Sequence, residues 1–259
     1  MLNEQYRMHP MISHFPRNIF YSGDLLDAPN VQKPDYGDPL RSTICRAVPS
    51  FKPLVILDLD SREERTGTSL ANSAEAQLCV FLYQQLKQVS RGLSSKTKVA
   101  IISPYAEQVS LLRRCFADVL GPDFAKFVEI NTVDAFQGRE ANIVIFSAVR
   151  AAGSRGVGFL SDVRRMNVAL TRAKHFLFVI ARCESVVVNP YWKELVEHAK
   201  ERQAVFRIPV LGSGRNVSFG NLKDWVQEMP SPTFVPPPRR TVGDESADPR
   251  KRKHASNDP

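Results

Sequence analysis

The sequence has four cysteines, Cys45, Cys79, Cys115 and Cys183, set far apart and without a C-x-x-C pair. That excludes a zinc ribbon or a disulfide framework as the basis of the fold. The thiols are expected to be reduced and structural, as in the cytosol or nucleus. No apolar run approaches the roughly 18 residues that a membrane span needs. The opening residues, MLNEQYRMHP, lack the apolar stretch of a secretory signal. An intracellular protein with no membrane partner is therefore expected. Also missing is any G-x-x-x-x-G-K-[ST] stretch, the loop whose amides and lysine cradle a triphosphate.

What is present suits one good-sized domain with a tail, or two small domains. An apolar content of 43% is enough to bury a core. The net charge of +8 and the pI near 9.5 favour polyanionic partners, although a charge balance by itself is also that of a solvated basic surface.

Short apolar runs alternate with amphipathic ones. Leu54–Leu59, Lys98–Ile102, Val128–Ile130, Ile143–Ala148 and Phe176–Ala181 read as buried strands. Ser73–Gln88, Tyr105–Leu120, Asp162–Ala173 and Tyr191–Gln203 read as helices, the second stopped by Gly121-Pro122. Strands that are apolar throughout, alternating with helices, imply a parallel sheet covered on both faces. Ligands of such sheets bind beyond the carboxyl ends of the strands. Ser103-Pro104-Tyr105, Asn131-Thr132 and Arg150 all follow strands. The expected domain is 1–210. From 211 to 259 Gly, Ser, Pro and Arg dominate, and a mostly disordered basic tail is expected, with a short helix over Asn221–Met229 around Trp225.

Three stretches stand out: Gln5-Tyr6-Arg7-Met8-His9-Pro10; Asn131-Thr132-Val133-Asp134-Ala135-Phe136-Gln137-Gly138-Arg139-Glu140; and Gly158-Phe159-Leu160 through Arg164-Arg165-Met166-Asn167-Val168-Ala169-Leu170-Thr171-Arg172-Ala173. On a helix the last places Met166, Ala169, Leu170 and Ala173 together, and Arg165 and Arg172, seven apart, project alike. An arginine fork held there matches phosphate oxygens. The plainer reading is a solvated basic helix face.

Taken together and in this order, with Ser103-Pro104-Tyr105 between the first two, the stretches resemble the second RecA-like domain of superfamily-one helicases. The branch is the one containing senataxin and the nonsense-mediated-decay helicase. The resemblance covers about Met1 to Gln203 and is nearest the senataxin-like group. It implies a doubly wound α/β sheet of the RecA-like, P-loop-NTPase type with helices on both faces. It also implies ATP with Mg²⁺ as cofactor, the metal ligands lying on a first RecA-like domain and none on this chain. Arg7 and Arg172 would reach the γ-phosphate, Tyr6 would lie on the adenine, Glu140 would hold the ribose, and Gln137 and Gly138 would line the cleft. Ser103, Pro104, Tyr105, Thr132 and Val133 would face a single strand of RNA or DNA. His9, Asp134 and Asn167 are read as structural.

Without the P-loop and acidic box of that first domain, this chain supplies half of an ATP site. It is expected to belong to a longer helicase moving 5′ to 3′, partnered by that domain, with no stable oligomer. The alternative is a non-catalytic remnant that binds nucleic acid or a protein. Val55-Ile56-Leu57-Asp58-Leu59-Asp60 has the strand-then-D-x-D form of a haloacid-dehalogenase phosphatase, with Asp58 as nucleophile. That class needs a later acidic motif, and the nearest, Gly23 to Asp27, comes too early. Arg250, Lys251, Arg252 and Lys253 form a short basic cluster of the nuclear-import kind. A nuclear location is expected, with the cytoplasm as the alternative.

Overall fold

The chain begins with a two-residue strand, β1 (Glu4–Gln5), that pairs in parallel with β2 (Leu26–Asp27) around helix α1 (Pro10–Phe20). Helix α2 (Leu40–Ala47) leads to β3 (Leu54–Leu59), and a hairpin follows, β4 (Glu64–Thr66) and β5 (Ser69–Ala71). Then come α3 (Ser73–Val89), β6 (Val99–Ser103), α4 (Ala106–Leu120), β7 (Val128–Thr132) and β8 (Ala141–Ser147). The chain continues through α5 (Val163–Leu170), β9 (Ala173–Ala181), α6 (Cys183–Val186), α7 (Pro190–Glu201), β10 (Val205–Ile208) and β11 (Val226–Gln227). The structure is a computed structural model that describes residues 3–89, 97–151, 156–211, 217–222 and 225–228.

The central sheet runs β11-β10-β3-β9-β8-β6-β7, parallel except for β11 at the edge. Because successive strand residues point to opposite faces, strands β3, β6, β8 and β9 each feed two cores. Leu54, Ile56, Ala100, Ile102, Val144, Phe146, Leu177 and Val179 pack beneath α1, α5 and α7, with Ile12, Phe15, Met166, Leu170, Trp192 and Leu195. Val55, Leu57, Ile101, Ile143, Ile145, Phe176 and Phe178 pack under α2, α3 and α4, with Ile44, Leu78, Leu82, Leu112 and Phe116. The expected α/β class, with helices on both faces of a parallel sheet, is what forms. Its switch point lies between β6 and β8. After β6 the chain crosses outward to β7 through α4 on one face; after β8 it turns back to β9 through α5 on the other.

Caps fix several boundaries. Asp162 accepts from the N–H groups of Arg164 (2.9 Å) and Arg165 (3.2 Å) and starts α5. Asn189 accepts from Tyr191 (3.0 Å) and Trp192 (3.3 Å), with Pro190 at the first helical position of α7. Four sequence expectations need correction. Helix α5 stops at Leu170 rather than Ala173, because Thr171 folds its hydroxyl onto the Asn167 carbonyl (2.7 Å) and Arg172 already bonds across to Ala141 (3.1 Å). Helix α1, helix α2 and the β4–β5 hairpin, none anticipated, are present. Within the expected helix Asn221–Met229, Val226–Gln227 is instead a strand that adds to the sheet edge. The fold also runs past 210, since Phe219 and Trp225 are buried in the second core. The rest of the expected tail, including Arg250, Lys251, Arg252 and Lys253, lies outside the described residues. The four cysteines are free, and no described helix is long and apolar enough to cross a membrane.

Candidate functional site

At the amino ends of β8 and β9 the structure gathers charges from three distant stretches. Gln5 sets the first. Its side-chain oxygen accepts from the N–H groups of Arg7 (3.0 Å) and Met8 (2.7 Å), and its amide donates to the Met8 carbonyl (2.9 Å), so the turn is wrapped around one side chain. His9 then caps α1, its Nδ1 accepting from Met11 N–H (3.1 Å), while its own N–H bonds the Lys174 carbonyl on β9 (2.8 Å). Burial, with Arg41 close by, pushes His9 down to about 4, so the ring is neutral and structural. Arg7 is thereby aimed at Glu140, Nε to Oε2 at 2.7 Å, with Nη1 on the Thr171 carbonyl at 3.2 Å. Lys174 takes the other Glu140 oxygen at 2.5 Å. The hydrogen bonds from Arg7 and then Lys174 hold the Glu140 carboxyl below its usual range.

Arg172, just before β9, folds back on its own turn. Nε donates to the Val168 carbonyl (2.8 Å) and Nη2 to the Thr171 hydroxyl (2.8 Å). Burial first, and the charge of Arg7 second, make its protonated form less favourable. Arg7, Lys174 and Arg172 thus gather about a single carboxylate, Glu140, so the cluster keeps excess positive charge beside a partly desolvated guanidinium. An anion placed there relieves that repulsion. Tyr6 stands beside it with 62% of its surface exposed, a free aromatic face. Gln137 and Gly138 lie exposed on the turn leading to Glu140, with Gly138 at φ 81°, left-handed backbone that favours glycine. Arg165, expected to project with Arg172, instead pairs with Asp134 through Nη2 at 2.9 Å and Nε at 3.1 Å. Asn167 donates to the Tyr21 hydroxyl (3.0 Å). The cluster sits where two strands begin; the expectation that informative residues follow strands misses it.

The residues expected to face a nucleic-acid strand do follow strands, but most turn inward. Ser103, Tyr105 and Val133 have buried side chains, while Pro104 and Thr132 are half-buried. The cause is the sheet: Ser103 ends an interior strand and its carbonyl accepts from Val133 N–H (3.1 Å), while Tyr105 opens α4 beneath Phe159, ring centres 5.5 Å apart. A Cβ on Gly158 would stand 3.0 Å from the Tyr105 hydroxyl, so glycine permits this approach. Of this set Pro104, Thr132 and backbone groups are the more accessible part. Asp58 likewise has a structural task, accepting from Cys183 N–H at 2.7 Å and tying β3 to α6.

One constellation was not anticipated. Glu75, fully buried at the start of α3, accepts from the Ser147 hydroxyl (2.6 Å) and from Val149 N–H (2.9 and 3.0 Å). Asn72 donates to the Val149 carbonyl (3.1 Å), and Gln108 ties Asn72 to Ser147. The held residue is strained: Val149 has φ 71°, which for a β-branched side chain costs on the order of 1–3 kcal/mol. Next to it, Arg150 pairs with Glu63 at 3.0 Å on the floor of a cleft of about 880 Å³. Residues following β3, β6, β8 and β9 line this cleft, among them Arg62, Arg65, Tyr105, Arg150, Phe159 and Arg182. A signal for Glu75 existed: stepped back from Leu86, Leu82 and Leu78 at helical spacing, it falls on the buried stripe.

Residues 1–184 match the family model described as an AAA domain. The chain is 40% identical over 239 residues to a probable helicase of Dictyostelium discoideum, covering 91% of this chain and 22% of that protein. It is 38% identical to the probable helicase MAGATAMA 3 of Arabidopsis thaliana, over 80% of this chain and 25% of that one. It is 37% identical to the helicase SEN1 of Saccharomyces cerevisiae, over 79% of this chain and 9% of that one. The chain therefore spans a quarter or less of the length of these relatives.

Proposed function

The chain belongs to the AAA-domain family, in the senataxin-like group of superfamily-one helicases, and from that membership we propose that it is the second motor domain of an ATP-driven helicase acting on single-stranded nucleic acid. The observation that carries the proposal is the cluster of Arg7, Arg172 and Lys174 about Glu140, in which Arg7 meets Glu140 from 133 positions away. In this reading Arg7 and Arg172 approach the γ-phosphate of ATP bound between this chain and a first RecA-like domain. That domain holds the P-loop and the ligands of Mg²⁺.

Phosphoryl transfer spreads negative charge over the equatorial oxygens, and cations fixed in advance stabilise that charge without reorganising. Arg172 is already desolvated and crowded by Arg7, so a developing negative charge improves its surroundings. Tyr6 stacks on the adenine, Gln137 and Gly138 line its cleft, and Glu140, released in part from Arg7, takes the ribose. The strand, RNA or DNA, passes the carboxyl ends of β6 and β7, where Pro104, Thr132 and backbone groups meet it. Nuclear localisation through Arg250–Lys253 completes the reading.

The test is Arg172→Ala in the chain fused behind the first RecA-like domain of a close relative. Turnover should fall by about 10³–10⁵, the usual worth of an arginine finger, with strand binding retained. Arg172→Lys should not restore it, because an ammonium lacks the bidentate fork. Near-normal ATP hydrolysis by Arg172→Ala removes the assignment.

A further inference from the structure

Lys174 stands in the nucleotide cluster, and the ATP reading gives it no task. It is the second residue of β9, whose Ala173 faces Ala141 at the start of β8 in the sheet register. Glu140, one residue before β8, therefore sits at the mouth of the neighbouring strand. The sheet fixes the approach of the two, and Lys174 Nζ meets Glu140 Oε1 at 2.5 Å. Arg7 holds the other oxygen of the same carboxylate at 2.7 Å. Two cations thus share one anion, and in the ATP reading only Arg7 has to leave it.

We propose that Lys174 is the positioning residue that frees Arg7 for the nucleotide: it keeps Glu140 neutralised while the Arg7 guanidinium passes from that carboxylate to the γ-phosphate. The inference rests on the ATP reading and deepens it. The Arg7–Glu140 pair becomes a resting state of the cluster rather than a fixed part of the fold.

As it stands, Arg7 cannot offer a phosphate its fork. A guanidinium presents two N–H groups side by side along two edges, Nε with Nη2 and Nη1 with Nη2. Nε is engaged by Glu140 and Nη1 by the Thr171 carbonyl (3.2 Å), so each edge has one nitrogen occupied. Two-pronged contact with an oxyanion requires one of these bonds to open. In the ATP reading Glu140 turns to the ribose, which makes it the bond to Glu140. The main chain does not follow the side chain. Gln5 Oε1 accepts from the Arg7 N–H (3.0 Å) and the Tyr36 hydroxyl donates to the Arg7 carbonyl, so the backbone is held on both sides.

Without Lys174 this transfer would strip Glu140 of its last cation. A part-buried carboxylate left unpaired draws the guanidinium back. With Lys174 in place the carboxylate keeps one charge-assisted bond throughout. An ammonium suits the task, because it is a compact point charge and not a fork that competes for the phosphate. Arg172 cannot substitute, since its Nε and Nη2 are engaged by the Val168 carbonyl and the Thr171 hydroxyl.

The experiment is steady-state ATP hydrolysis by the chain fused behind the first RecA-like domain of a close relative, with Lys174→Met made both in the parent and in a Glu140→Gln background. In the parent Lys174→Met should lower turnover about tenfold, the worth of one charge-assisted hydrogen bond at a part-exposed site. Lys174→Gln, a second neutral replacement, should repeat the loss. In the Glu140→Gln background, where no carboxylate holds Arg7, Lys174→Met should cost nothing further, the non-additivity of residues that act through one another. Lys174→Arg keeps the cation and should retain turnover near the parent's. Thermal melts verify that each variant is folded. An equal loss in both backgrounds would mean that Lys174 acts on the nucleotide directly and overturns the proposal, as does an undiminished turnover in both neutral variants. Either result leaves the ATP reading intact where Arg7→Ala abolishes turnover in the same fusion. Near-normal hydrolysis by Arg7→Ala overturns both.

Discussion

Glu75 has no exposed surface and keeps its carboxyl among the Ser147 hydroxyl, the Val149 amide and Asn72. Burial dominates those hydrogen bonds and raises its pKa from the usual 4.5 to about 8. A group whose folded pKa is raised contributes stability that is complete below the unfolded value and is lost as pH climbs through the folded one, here between 4.5 and about 8. Glu75→Gln keeps an acceptor for Val149 and a donor for the Ser147 oxygen but cannot ionise. Between about pH 6 and about pH 9 the parent should lose on the order of a few kcal/mol relative to this variant, seen in paired thermal melts. Melting temperatures that move in parallel would show that Glu75 titrates normally. The sequence places Glu75 on a buried stripe, but its purpose depends on Val149, 74 residues away. Nothing local announces that pairing. Arg7 and Glu140 are farther apart still, yet both lie in long motifs, so resemblance joins them where periodicity cannot.

Elements were legible in proportion to their apolar regularity. The central strands and helices α3, α4 and α7 have it. Helix α1 carries Pro16 inside, which argues against a helix, and strand β4 is exposed along its length and shows no pattern. Strand β11 was missed for a different reason. The composition after Leu211 is poor in apolar residues on average, but an average hides two anchors. Phe219 and Trp225 are buried; the Trp225 ring lies 6.2 Å from both Phe51 and Phe81, and its Nε1 donates to the Phe219 carbonyl (2.8 Å). The segment also covers the open edge of β10, which would otherwise offer unpaired backbone groups. Trp225→Ala should cost about 3–5 kcal/mol of stability, as large-to-small changes in a core do, measured by urea unfolding. A loss under about 1 kcal/mol would mean that the segment rests on the surface and that the fold is complete near residue 210, as composition suggested.

At the scale of the whole molecule, a sheet covered on both faces is joined to a charge cluster open at one end. Burial of both cores within this chain gives it the means to fold by itself. In the proposed reading the cluster differs, because there Arg7, Arg172 and Tyr6 would contribute mainly once a second wall closes over a nucleotide. Most of the ground-state grip on a triphosphate comes from P-loop amides, a lysine and the Mg²⁺ ligands, and the sequence holds no P-loop. A ligand raises the melting temperature only as its concentration exceeds its dissociation constant. Millimolar ATP with Mg²⁺ should therefore leave the melting temperature of the purified chain unchanged, and hydrolysis should stay at background. Fusing the first RecA-like domain of a close relative ahead of the chain should produce both a nucleotide-dependent thermal shift and turnover stimulated by single-stranded nucleic acid. The two readouts separate two failures. A shift without turnover would mean that the walls meet but Arg7 and Arg172 do not reach the reacting phosphate. Vigorous hydrolysis by the chain alone would require a second nucleotide site, and the half-motor reading would fall with it.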